Sequence, residues 1–126
     1  MQKILSNLYS NAIKYADKNV EVKFIPLRAS NKFRIEIRND GFLIPYELHD
    51  KIFEPFYRIK ETTIHKGTGI GLAISRTLAE LNKGTLVLKE PENGMNVFIP
   101  ELIINNEEAV AKVIVDKSAK PLTQNV

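Results

Sequence analysis

Two short stretches limit the fold most strongly. VEVKFIP (20–26) and FRIEIR (33–38) alternate apolar and polar side chains, and because successive strand residues point to opposite faces, each carries one apolar face and one wet face. The polar LRASNK between them joins the pair as an antiparallel hairpin. A one-sided sheet needs a cover over its apolar face. Residues 2–16 supply it as a helix: at about 100° per residue, Ile4, Leu5, Leu8, Ala12 and Tyr15 fall on one stripe, and Asn7, Asn11, Lys14 and Lys18 share the stripe beside it.

The same logic continues along the chain. NDGFLIP (39–45) breaks the strand pattern, and YELHDKIF (46–53) is expected to form a short helix beginning just past Pro45. EPFYRIKETTIHKG has no sustained period, as a long functional loop would. LAISRTLAEL (72–81) is helical by period and stops near Asn82 and Gly84, and TLVLKE (85–90) and MNVFIPEL (95–102) form a second hairpin around PENG. The order predicts an α+β two-layer sandwich, with a mixed, mostly antiparallel sheet and helices on one face. At 126 residues and 44% hydrophobic, the chain can build one core. We expect one domain over 1–104 and a partly disordered linker or extension over 105–126.

Composition removes several function classes. Without cysteine there is no disulfide framework or thiolate metal site, and no apolar run is long enough to span a bilayer. Polar residues interrupt MQKILSNLYSNAIKY, so it is not a signal segment. These features lead us to expect a soluble, cytoplasmic piece without membrane contact of its own. The formal charge of +3 comes from eighteen scattered basic residues, a pattern of polyanion tolerance and not of nucleic-acid recognition. His49 and His65 stand without ligand partners at suitable spacing, and no Ser-His-Asp set can be assembled.

Four groups remain as carriers of chemistry. Gly67, Gly69 and Gly71 run into the second helix, where backbone freedom and unpaired amides suit a phosphate; a hinge or a tight helix-strand contact would use the same glycines. The spacing is neither a P-loop nor a dinucleotide fingerprint. Asn7 and Asn11, one helical turn apart, offer hard amide oxygens suited to magnesium, with Lys14 on the same stripe for phosphate; surface or capping residues are the plain alternative. Asn39, Asp40 and Gly41 end a strand in a turn that taken alone needs no function, and in company with the other groups it can present a side chain to a base edge. Phe53, Phe56 and Tyr57 with Arg58 offer loop anchors and a phosphate contact, or core aromatics beside a surface arginine.

In order, these motifs resemble the catalytic ATP-binding domain of bacterial sensor histidine kinases, in the superfamily that also holds gyrase, the ninety-kilodalton heat-shock chaperone and mismatch-repair ATPases. NLYSNAIKY (7–15) is similar to the family's N box, RNDGFLIP (38–45) to its first glycine box, FEPFYR (53–58) to its F box and GTGIGLAI (67–74) to its second glycine box. The resemblance implies a Bergerat-type ATP site with a lid between Pro45 and Gly67. It implies that Asn11 holds magnesium with Asn7 nearby, that Lys14 and Arg58 meet phosphate, and that Tyr15 packs on adenine. It places Asn39, Gly41, Ile44 and Phe53 at the nucleotide, and wraps the phosphates with Gly67, Thr68, Gly69, Ile70, Gly71 and Leu72. Asn7, Lys14 and Arg58 would serve catalysis.

The sequence departs from the family at two places. The aspartate that accepts from the adenine amino group falls at Asn39, with Asp40 beside it, and Leu43 replaces a glycine. An asparagine oxygen can still accept that bond, so the expected cost in affinity is about 1 kcal/mol or more. The implied reaction passes the γ-phosphoryl group to a histidine on a separate dimerisation domain, and from there to a response regulator, the parent being a membrane-anchored or hybrid sensor. Two other readings stay open: a degenerate, nucleotide-free interaction module, and a stand-alone ATPase or serine kinase, although Asn7's turn offers an amide where a hydrolase wants a carboxylate.

Overall fold

The computed structural model describes residues 2–27, 30–60, 69–103 and the backbone of 123–125. The first helix, α1 (Gln2–Tyr15), leads into a hairpin of β1 (Asn19–Leu27) and β2 (Lys32–Asn39). The second helix, α2 (Gly71–Leu81), is followed by a hairpin of β3 (Thr85–Glu92) and β4 (Met95–Ile103), and β5 (Thr123–Asn125) comes last. The strands form one sheet in the order β3-β4-β2-β1-β5.

Side-chain period explains the core. Ile4, Leu5, Leu8 and Ala12 bury one stripe of α1 against Phe33, Ile35 and Ile37 of β2, while Ala79 of α2 joins Leu86, Leu88, Phe98 and Leu102 of the second hairpin in the same cluster. The two helices pack on each other and on the sheet. Register places Phe33 opposite Leu102, Ile37 opposite Phe98 and Asn39 opposite Asn96, so the core-facing row of β2 meets that of β4. Asn93 and Gly94 both have positive φ, 54° and 75°, as a two-residue hairpin turn requires.

Three differences from expectation have physical reasons. Every pairing among the described residues is antiparallel. The crossover through α2 makes β3 run in the direction of β2, but β4 inserts between them, so the two never pair. Residues 46–53 form two 3-10 turns, Tyr46–Leu48 and Lys51–Phe53, where a short helix was expected. Within the stretch expected as a linker, Thr123–Asn125 adds a strand beside Asn19–Glu21 of β1.

Candidate functional site

An open-mouthed cleft of about 560 Å³, counting the space that opens to solvent, lies over the C-terminal half of α1. Asn11 and Tyr15, one turn apart on α1, line one wall; Asn39, Phe42 and Ile44 follow the end of β2; Ile52, Tyr57, Arg58 and Ile59 come from the lid side; Leu72 marks the start of α2. Asn96 and Phe98 of β4 complete the floor. Among the described residues no carboxylate lines the cleft and Arg58 is the one ionised side chain that does, a combination that favours an anion. Among the described residues no group of histidine, aspartate and glutamate side chains could hold a metal, so any cation here must rely on amide oxygens and on oxygens of the ligand.

The floor is held by two asparagines that are each only 2% exposed. Asn96 Oδ1 accepts from the Ile44 N–H at 2.9 Å, and its Nδ2 donates to the Phe42 carbonyl at 2.8 Å and to Asn39 Oδ1 at 3.3 Å. Asn39 Oδ1 also accepts from the Gly41 N–H at 3.0 Å. Two donors therefore occupy an oxygen that has two lone pairs. The expectation that this oxygen accepts from an adenine amino group does not hold: turn and strand have already claimed it.

Asp40 does not replace it. Its Oδ1 accepts from the backbone N–H groups of Asp17, Lys18 and Asn19 at 2.9, 2.9 and 3.0 Å, and its Oδ2 accepts from Asn19 Nδ2 at 3.2 Å. Desolvation pushes this carboxyl up, but the bonds from Asn19, Lys18 and Asp17 outweigh it and hold the carboxyl below its ordinary value. Asp40 thus ties the turn after β2 to the connection between α1 and β1. Gly41 completes that contact, because a Cβ there would fall on the Tyr15 carbonyl oxygen, with the carbonyl carbon 2.9 Å away. Its absent side chain allows α1 and the turn to meet; it does not line the cleft.

Leu43 is 44% exposed and is not among the described residues with positive φ. The turn needs no glycine there, so this departure leaves the backbone intact. Gly69 does need one: its φ is 76°, its carbonyl accepts from the Phe56 N–H at 2.8 Å, and a Cβ would sit 3.1 Å from Arg58 Cγ. The contact brings Arg58 beside the start of α2. A Cβ on Gly71, by contrast, meets nothing within 4 Å, and α2 has no side-chain cap, so its first amides have no partner within the helix.

Of the residues singled out in the sequence, Asn11, Tyr15, Asn39, Ile44, Tyr57, Arg58 and Leu72 share the cleft. Asn7 is half-buried one turn before Asn11 and does not line it. Lys14 places Nζ 5.2 Å from the centre of the Tyr15 ring, at the cleft's edge. Phe53 is a correction: it lies 6.5 Å edge-on to Phe98, beneath the Arg76 guanidinium at 4.5 Å. Successive residues of a 3-10 turn point about 120° apart, so Ile52 meets the cleft and Phe53 faces away from it. Gly69, Ile70 and Gly71 frame the start of α2 without lining the cleft, and Gly67 and Thr68 lie outside the described residues. Asn96 was missed, although a polar residue on the core-facing row of β4 signals a buried amide in need of partners.

The family described as histidine kinase-, DNA gyrase B- and HSP90-like ATPase matches residues 1–104. This chain belongs to that family. It is 40% identical over 106 residues to the sensor protein kinase WalK of Staphylococcus aureus, a match covering 79% of this chain and 25% of the relative. Against WalK of strain JH9, the same identity covers 17% of the relative, so the chain spans a quarter or less of these proteins. A catalytic-domain structure of the histidine kinase ThkA is 33% identical with a TM-score of 0.67, covering 80% of this chain and 64% of that one. ThkA in complex with the response regulator TrrA is 27% identical with a TM-score of 0.61, covering 79% of this chain and 27% of that one.

Proposed function

We propose that the cleft binds Mg-ATP and that the chain is the catalytic domain of a sensor histidine kinase, giving up the γ-phosphoryl group to a histidine on a separate dimerisation domain. From that histidine the phosphoryl group would pass to a response regulator, as the match to ThkA supports. The observation that carries the reading is the cleft that gathers Asn11, Tyr15, Arg58 and Leu72 with no carboxylate among the described residues that line it, next to a glycine whose missing Cβ leaves open space at an uncapped helix start.

Each residue then has a task. Tyr15, Ile44, Ile52 and Phe98 offer apolar surface for the purine. The first amides of α2 and the Arg58 guanidinium meet phosphate oxygens, with Lys14 at the rim and Gly67 and Thr68 extending the wrap. Asn11 would supply the oxygen for magnesium, with Asn7 behind it, and the ion would neutralise charge on the phosphates. Residues 1–104 form the catalytic unit and 105–126 an extension. No described helix is long and apolar enough to cross a membrane; we assign any anchor to other parts of the parent sensor, and this domain to the cytoplasm.

Titration calorimetry with ADP and a non-hydrolysable ATP analogue, with and without magnesium, tests the reading beside Asn11→Ala. Magnesium-dependent binding that Asn11→Ala loses is the expected result. Absence of binding under every condition would replace the proposal with an interaction module of the same fold.

A further inference from the structure

His49 has no partner at metal-ligand spacing, yet only 9% of it is exposed, and it stands on the connection between two walls of the cleft. Ile44 and Ile52 both line that cleft, and between them run Pro45 and the 3-10 turns Tyr46–Leu48 and Lys51–Phe53. A buried imidazole needs a partner for its N–H. His49 Nε2 lies 3.0 Å from the Ile44 carbonyl oxygen. That oxygen can only accept, so Nε2 carries a proton and a neutral ring must be the Nε2–H tautomer.

The bond closes a loop across the two walls. The Ile44 N–H donates to Asn96 Oδ1 at 2.9 Å and the Ile44 carbonyl accepts from His49, so β4 fixes one side of the residue and the turn fixes the other. Pro45 follows with φ −62° and ψ 150° and brings no N–H of its own. The turn is set by the Leu48 N–H on the Pro45 carbonyl at 2.9 Å and the His49 N–H on the Tyr46 carbonyl at 3.1 Å. Among the described residues, no other hydrogen bond joins residues 46–53 to Ile44. The second ring nitrogen, Nδ1, meets no described residue and is not a buried atom lacking a partner. It therefore reaches water in a second hollow, which His49 lines with Tyr46, Asp50 and Arg76.

We propose that His49 is a positioning residue for the nucleotide: its Nε2–H sets the distance between Ile44 and Ile52, and with it the apolar width of the cleft. The inference rests on the nucleotide reading of the cleft and adds a residue that does not line it and acts through Ile44. Without that donor the carbonyl of Ile44, a half-buried residue, must turn toward water to find one. The Ile44 side chain then loses its fixed place, and a wall that has to be ordered when the ligand arrives weakens affinity. Asn96 still holds the Ile44 N–H, so the change is local and shows in binding.

The experiment is calorimetric titration of ADP into the full chain, His49→Leu and His49→Gln at saturating magnesium. Leucine fills the buried site without a donor, whereas glutamine places an amide N–H as many bonds from Cβ as Nε2. We expect binding about five-fold weaker in His49→Leu and within about two-fold of the unaltered chain in His49→Gln. An unchanged dissociation constant in folded His49→Leu, or an equal loss in His49→Gln, overturns the proposal. Nitrogen NMR of the imidazole in the unaltered chain needs no variant and decides alone should His49→Leu fail to fold. A proton on Nε2 of the neutral ring, with a resonance that moves when ADP is added, is expected; a proton on Nδ1, or a resonance that ADP leaves in place, overturns the proposal. If the folded, unaltered chain does not bind ADP, the nucleotide reading itself fails and takes this inference with it, whereas a failed rescue or an Nδ1 proton refutes this inference alone.

Discussion

Asn96→Ala tests how the cleft floor is built. The substitution removes the acceptor of the Ile44 N–H and the donor to the Phe42 carbonyl and Asn39 Oδ1. Phe42 is 41% exposed, so its carbonyl can turn to water at little cost, but Ile44 is half-buried and its amide pays part of the 1–3 kcal/mol typical of a stranded group. Losing the buried amide's own packing adds a smaller cavity cost. The sum is about 2.5 kcal/mol, or about 10 °C in Tm for a domain of this size. Urea unfolding should show a lower midpoint with an unchanged slope. Asn96→Asp is the companion: it keeps the acceptor for Ile44 but sets a carboxylate oxygen against the Phe42 carbonyl and Asn39 Oδ1. Its carboxyl should favour the protonated form in the fold, so its deficit should shrink on acidification while that of Asn96→Ala does not. A loss below about 0.5 kcal/mol in Asn96→Ala, within the scatter of neutral surface changes, would refute the account of the floor.

Two other perturbations address the turn beside the cleft. The Asp40 carboxyl is held below its ordinary value of 3.8, so its contribution is present above that value and lost as pH falls through the lower folded value; Asp40→Asn should cost about 1 kcal/mol at pH 7, and urea titrations should find this difference shrinking below pH 3.8. Gly41→Ala should destabilise by about 3 kcal/mol through overlap with the Tyr15 carbonyl, and thermal unfolding should show a large drop that Leu43→Gly, at an exposed position with an unstrained backbone, does not share.

Legibility in the sequence followed the range of the interaction. Alternation placed β1 through β4 to within two residues at each end, because period-two burial is local information. The helical period likewise put Asn11 on the stripe beside the apolar one that ends in Tyr15, and one turn of α1 between them lets both line one wall once tertiary packing has chosen the direction they face. Phase was lost where the helix was too short to average over. YELHDKIF has adjacent apolar residues at Ile52 and Phe53 and one i+4 pair, Leu48 and Ile52, and only the 3-10 geometry decides that Ile52 meets the cleft and Phe53 does not.

What lay furthest from reach was the partner across the sheet. Asn39 and Asn96 are 57 residues apart, and nothing near either one says that β4 will insert beside β2 and set them opposite each other. Taken alone, Asn39 is a side chain with an oxygen to spare for a ligand. Opposite Asn96 and two residues from the turn amide of Gly41, it has given that oxygen away, and the chemistry it can offer changes sign from acceptor to donor. Removing only the Asn96 bond would leave the Gly41 amide still holding Asn39 Oδ1, whereas an aspartate at 39 would meet the same two donors and retain an acceptor. The polar group that residue 39 keeps unengaged thus follows from the residue type there together with a strand order that no local window contains.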